Sequence, residues 1–399
     1  MPPIVNLRQF QRRRPLLIRA YNSIGKNGPL HPAALLDTAA RRTGLTDFGD
    51  DLFREPLEKL VQSINEEARL HPFGRFISRE RLVNLLGNRL RATEFRKQHP
   101  EIAEQKIQAP IVITGLQRTG TTFLHRLLAA DPNLRALRSW EALHPAPLQW
   151  PVSDRDPRIG KARTAERALR YMSPEFFAIH PVEHNAPEEE ILLLDNSLRS
   201  TVPEATLHVP GFAAWIETQD HRPAYDMLYH LLQLLQWQQP GKRWVLKTPH
   251  HLEFLDVLFQ VFPDAKVIHT HRNPLETMGS FCSMVYFSRH VFSDEVDRHE
   301  IGRHWLRKTA HMVRRARDFQ QENPKAAILD VNYADLVENP LPIVQKIYEF
   351  AGQPLTPETE SALMQALALN RQHKYGKHQY QLSDFGLDEA AVSEVYNFH

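Results

Sequence analysis

Residues 115–123 read GLQRTGTTF, and their types and spacing suit the holding of an anion. Gly115 and Gly120 have the G-x-x-x-x-G spacing of a phosphate-cradling loop. The apolar run Ile111-Val112-Ile113 precedes them, and Phe123, Leu124, Leu127 and Leu128 follow at helical spacing. Strand, tight glycine turn, then helix aims free backbone N–H groups and a helix dipole at negative charge. A nucleotide-hydrolysing loop of this kind continues with lysine. Here Thr121 and Thr122 follow Gly120, and the positive charge lies inside the loop at Arg118. The pattern is a phosphate loop that does not read as an ATPase.

A second anion-binding pair follows from Arg272 and Ser280, which lie in RNPLETMGS. The fixed φ of Pro274 favours the first turn of a helix, so Ser280 is expected almost two turns along it. An arginine fork and a serine hydroxyl together clasp a phosphate well. Alone, the pair reads as a surface arginine and a helix serine. Beside Arg118 and Lys247 it predicts a ligand with two separated anionic groups.

The elements that must position these residues alternate. Strand-like runs occur at 111–113, RWVLKT (243–248), AKVIHTH (265–271) and AAILDVNY (326–333), with amphipathic stretches such as HLEFLDVLFQVF (251–262) between them. Such alternation predicts an α/β fold with a mostly parallel sheet covered by helices on both faces. Ligands of these sheets gather beyond the carboxyl ends of the strands. There the sequence places the loop, then Lys247-Thr248-Pro249-His250-His251, then Thr270-His271-Arg272. Residues 1–108 read as a helical extension without strand signals, packed on the core or on a second subunit. Residues 109–399 form the α/β part, and 146–240 are expected to be mainly helical.

The 399 residues, 42% hydrophobic and 24% charged, describe a globular chain with ample material for a core. A net charge of +2 argues against a general nucleic-acid binder. The one cysteine, Cys282, rules out an intrachain disulfide and a cysteine zinc cluster. No run approaches the roughly 18–20 apolar residues of a membrane span, and the N-terminus lacks an apolar signal region. The expectation is a cytoplasmic protein.

These ordered motifs resemble the sulfotransferases that use 3′-phosphoadenosine 5′-phosphosulfate. The likeness is closest to the bacterial branch with a P-R-S/T-G-T-T loop, which tyrosylprotein sulfotransferases share. Here that loop is Gln117-Arg118-Thr119-Gly120-Thr121-Thr122, with Gln117 in place of the usual proline. Arg272 and Ser280 have the spacing of the family's 3′-phosphate segment. NYADLVENPLPIVQKIYEFAGQPL (332–355) is similar to the segment after the last core strand. The resemblance covers roughly 109–399 and implies a three-layer phosphate-loop fold. It also implies transfer of a sulfonate to a hydroxyl or amine of a small-molecule, lipid or glycan acceptor, releasing adenosine 3′,5′-bisphosphate.

On that resemblance the loop amides and the hydroxyls of Thr119, Thr121 and Thr122 hold the 5′-phosphosulfate. Arg118 and Lys247 neutralise developing charge, and no metal is expected. The general base is left between Glu141, by analogy with tyrosylprotein sulfotransferases, and His251 or His250, by analogy with cytosolic ones. Their ordinary readings are an ion pair with Arg138 or a backbone amide for Glu141, and a helix cap for His250. His180, His184 and Glu188-Glu189-Glu190 lack metal-site spacing and read as a polar substrate wall or a helix start. The basic stretch at Lys374, Lys377 and His378 is expected to close over the nucleotide or to form a tail. Two other readings are a nucleotide binder without turnover and, less favoured, a phosphate-loop kinase. A homodimer is compatible with all three.

Overall fold

The computed structural model describes residues 4–7, 14–25, 28–151, 155–369 and 377–396. In chain order its strands are β1 (Ile4–Asn6), β2 (Ile111–Gly115), β3 (Leu134–Ala136), β4 (Arg243–Lys247), β5 (Lys266–His271), β6 (Ile328–Asn332) and β7 (Lys377–Gln379). The main sheet has the order β3-β4-β2-β5-β6, and every pairing in it is parallel. From β2 the chain builds β3 and β4 on one side, then crosses to β5 and β6 on the other. The reversal opens a crevice at the carboxyl end of β2, between β4 and β5, where such sheets bind ligands.

Every residue of β2 is buried, as expected of a central parallel strand. Its alternate side chains face two layers. Ile111 and Ile113 join Leu124, Leu127 and Leu128 of the helix Thr121–Leu128, with Val344 and Ile347 of the helix Pro340–Ala351. Val112 joins a second cluster with Leu228 and Leu232 of the helix Arg222–Gln238, and Met312 of the helix Arg298–Glu322. Each such buried aliphatic side chain contributes roughly 1.5–3 kcal/mol. The three layers expected from the alternation are present.

The extension is helical over Leu16–Ile24, Pro32–Thr43, Arg54–Glu66 and Pro72–Gln98. Its buried Leu57, Leu60, Leu82 and Leu86 share one apolar cluster with Leu207 and Phe212 of the 146–240 region. The extension is thus packed against the helical region that bounds the crevice. One expectation needs correction: Ile4–Asn6 is a strand, paired in parallel with Lys377–Gln379. Three residues are too few to show periodicity, and the pairing spans nearly the whole chain. Of the basic C-terminal stretch, Lys374 lies outside the described residues. Arg14 is nearly buried and ion-paired with Asp294 at 2.7 Å. No described helix is long and apolar enough to cross a membrane.

Candidate active site

The phosphate loop joins β2 to the helix Thr121–Leu128, and no side chain caps that helix. Its first N–H groups therefore remain available to a ligand. Gly115 has φ +144°, and a Cβ there would lie 2.5 Å from the Thr270 carbonyl oxygen. Gly120 has φ +90° beside the Tyr333 ring, whose Cδ2 would lie 3.0 Å from an added Cβ. Both positions require glycine. Arg118 adopts φ +72°, a left-handed conformation that costs a side-chain-bearing residue free energy. Stitching to β5 offsets that cost. Thr119 Oγ1 donates to the Leu116 carbonyl at 2.6 Å and pairs with Thr270 Oγ1 at 2.7 Å.

Arg118, Arg272 and Ser280, remote in sequence, meet at this loop. Arg118 Nε donates to Ser280 Oγ at 3.1 Å, and an Arg272 guanidinium N–H donates to the Arg118 carbonyl at 3.1 Å. Asn273 caps the helix Pro274–His290 by accepting from the Leu275 N–H, so that helix starts at the proline as expected. Glu276 and the Tyr333 ring fix Arg272: its Nε donates to the carboxylate at 2.9 Å, and the guanidinium lies 4.1 Å from the ring centroid. Farther along, Tyr380 of the C-terminal segment lies against Gly279 of the same helix.

β4 delivers Lys247, whose register partner is Ile113 of β2. Lys247 is almost fully buried, with its ammonium bonded to Glu189 and 3.4 Å from Thr122 Oγ1. Thr248 Oγ1 also donates to Glu189, at 3.3 Å. Glu190 is wholly buried; it accepts from the Lys247 backbone N–H at 2.7 Å and from His251 Nε2 at 2.7 Å. The phenol of Tyr225 completes the chain at His251 Nδ1, 2.7 Å away. One neutral tautomer, with the proton on Nε2, satisfies both histidine contacts. Burial pushes the Tyr225 hydroxyl well above its ordinary pKa, so it stays a donor.

A cavity of about 480 Å³ opens beside the phosphate loop, and of the groups just described at the end of β4 only Glu189 lines it. Gln117, Arg118, Gly120, Thr121, Thr122 and Arg272 line one part of it. His180 and Glu189 line it too, among Phe123, Pro249, Met284 and Leu367. Burial holds His180 down to about 4 and pushes the neighbouring Glu188 carboxyl up to about 7. Gln117 Oε1 is buried and has no hydrogen-bond partner among the described residues.

Three expected roles change. Glu141 caps the helix Ser139–Leu143 from inside: it accepts from the Arg138 N–H at 2.9 Å and the Arg135 guanidinium at 2.8 Å. It is absent from the cavity wall, as are Lys247, His250, His251 and Ser280. His250 is buried beside His221 and Phe254, and burial lowers its pKa well below the ordinary value. Thr119 turns its hydroxyl into the loop rather than the cavity. Glu189 takes the position at the cavity that neither candidate base occupies. The acidic run had the right chemistry, but its alignment depends on residues 184–190 running beside 137–140. Glu188 N donates to Leu137 O at 2.8 Å, and Trp140 N to His184 O at 3.0 Å.

Comparison with known proteins agrees with this fold. The Sulfotransferase family matches residues 110–357. The crystal structure of sulfotransferase STF1 from Mycobacterium tuberculosis H37Rv superposes with TM-score 0.82 at 33% identity, covering 93% of this chain and 100% of that one. Sulfotransferase STF9 from Mycobacterium avium gives 0.84 at 28%, covering 93% and 96%. The omega-hydroxy-beta-dihydromenaquinone-9 sulfotransferase Stf3 of Mycobacterium bovis is 28% identical over 177 residues, which are 41% of this chain and 42% of that protein. The match thus spans about two fifths of that relative's length.

Proposed function

This chain belongs to the sulfotransferase family, and from that premise we propose that it moves a sulfonate from 3′-phosphoadenosine 5′-phosphosulfate to the hydroxyl of an apolar, lipid-like acceptor. The observation that carries the reading is the Lys247–Glu189 pair, set at the mouth of the phosphate loop within reach of Thr122. A cation beside the loop and a carboxylate facing a partly apolar cavity are the two groups this transfer needs. The residues present suit the donor: two guanidinium groups and an uncapped helix start match its two anionic ends.

The donor supplies a sulfonate on a good leaving group, a 5′-phosphate. The loop amides with Thr121 and Thr122 hold that end, while Arg272 holds the 3′-phosphate. Arg118 sits between them, tied to Ser280 on one side and carrying Arg272 on its carbonyl. A bond forms from the acceptor oxygen to sulfur as the bond from sulfur to the bridging oxygen breaks, the two oxygens in line as in phosphoryl transfer. Lys247 turns from Glu189 toward the leaving phosphate oxygen and neutralises its growing charge. Glu189, released by that turn, accepts the acceptor's proton. Glu190, His251 and Tyr225 do no chemistry; they hold the end of β4 so that Lys247 and Glu189 meet. Phe123, Met284 and Leu367 favour an apolar acceptor, as suits a family with a relative named for a menaquinone alcohol.

Glu189→Gln tests the assignment with the labelled donor and a panel of lipid alcohols. A loss on the order of 10²–10⁴ in kcat, with unchanged affinity for adenosine 3′,5′-bisphosphate, is expected. Full turnover in that variant would remove Glu189 from the role.

A further inference from the structure

Immediately before Arg272 in the chain, the end of β5 carries a second chemical grouping. His269 and His271 are two residues apart on β5 and therefore share one face of the sheet. The parallel ladder sets His269 opposite Asp330 on the edge strand β6. One donor atom from each of the three residues falls within 4.8 Å of the others. The two imidazole centroids are 3.9 Å apart. His271 Nε2 lies 2.6 Å from Asp330 Oδ1, and His269 Nδ1 lies 3.4 Å from the same oxygen.

We propose that His269, His271 and Asp330 form a binding site for a divalent transition metal of the Zn²⁺ class. An ordinary ion-pair cluster leaves one fact unexplained. His269 is only 6% exposed, yet its Nδ1 is buried without a well-aligned hydrogen bond among the described residues, its contact with Asp330 Oδ1 being long at 3.4 Å. A buried ring nitrogen in that condition costs free energy unless something else accepts its lone pair. A metal ion does. Two imidazoles and a carboxylate form the three-ligand set that zinc takes when a water fills the fourth position. With metal–ligand bonds of roughly 2.0–2.2 Å, donor atoms around a tetrahedral ion stand about 3.3–3.5 Å apart. The 3.4 Å separation already meets that spacing, and the 2.6 Å one requires only a turn of Asp330. Its side chain is 60% exposed, so it is free to turn and leaves an entry path for the ion. No ion need take part in sulfonate transfer. Its position ties the ends of β5 and β6 together one residue before Arg272, and the site stands whether or not the sulfotransferase reading does.

The test is calorimetric titration of the chelator-treated full chain with Zn²⁺ alone, alongside the visible absorption of the Co²⁺-substituted protein. Wild type is expected to take up one saturable equivalent and to show the d–d bands of a four-coordinate nitrogen–oxygen site. His271→Ala and Asp330→Asn should each weaken that binding by at least on the order of 100-fold and abolish the bands. His31→Ala, at an exposed histidine elsewhere, should change neither. Far-UV circular dichroism checks that each variant is folded, and Asp330→Asn keeps the test open because that side chain faces solvent. Absence of saturable uptake in wild type overturns the proposal. So does equal uptake by the variants, which would place the ion on other histidines.

Discussion

Replacing His251 by alanine separates a positioning histidine from a catalytic one. The imidazole is fully buried and donates to Glu190, which is itself fully buried. The substitution leaves that carboxylate with the Lys247 backbone N–H and strips away its imidazole partner. Removing a hydrogen bond to a buried carboxylate costs about 1.5–3 kcal/mol. The Tyr225 hydroxyl loses its acceptor at the same time. At roughly 1.2 °C per kcal/mol for a chain of this size, the thermal midpoint should fall by about 2–4 °C. His251→Gln keeps an amide donor toward Glu190 and should recover part of that loss together with turnover. Differential scanning calorimetry and initial-rate assays on the same preparations give both quantities. The reasoning fails if His251→Ala keeps its midpoint yet loses turnover, because that is the signature of a catalytic base.

Glu141→Gln keeps an oxygen for only one of the Arg135 and Arg138 donors, so it should lose stability yet transfer sulfonate within a few-fold of wild type, as measured by initial rates. Gly120→Ala forces a left-handed alanine against Tyr333; a cost of about 1–2 kcal/mol should appear as weaker binding of adenosine 3′,5′-bisphosphate in calorimetry. Glu188 makes a pH prediction. Its folded pKa of about 7 lies above the ordinary 4.5, so the native state holds the proton that the unfolded chain releases. Stability contributed by the neutral carboxyl is full below 4.5 and is lost as pH rises toward 7. Denaturant midpoints across that range should fall less steeply in Glu188→Gln, which cannot ionise.

The parts of the site built by one local stretch were legible in the sequence. GLQRTGTTF carries its strand, its glycines and its helix within a single run, and Pro274 marks the start of the helix that holds Ser280. Polar residues after apolar runs pointed to Lys247 and Arg272, since β-strand ends are fixed by burial of the run itself. The place of Glu189 beside Lys247 at the cavity was not legible in the sequence. Its alignment with Lys247 depends on residues 184–190 pairing beside 137–140, and one backbone bridge there joins Arg138 to Pro187. Such a contact leaves no periodic trace. Glu141 misled for a related reason. β3 is three residues long, and a glutamate at the third helical position after it satisfies backbone N–H groups, which is a capping role. Chemistry-bearing residue types were visible; which of them face the cavity was decided by packing.

The central claim is that the cavity takes a nucleotide with a 5′ and a 3′ anion. Calorimetric titration of wild type and Arg272→Ala with adenosine 3′,5′-bisphosphate, and separately with ATP, tests it most directly. The account predicts preference for the bisphosphate in wild type. It also predicts a loss of about 1.5–3 kcal/mol in Arg272→Ala, the worth of a hydrogen bond to a charged group, or roughly 10- to 150-fold in Kd. Preference for ATP, or indifference of bisphosphate binding to Arg272→Ala, would contradict it.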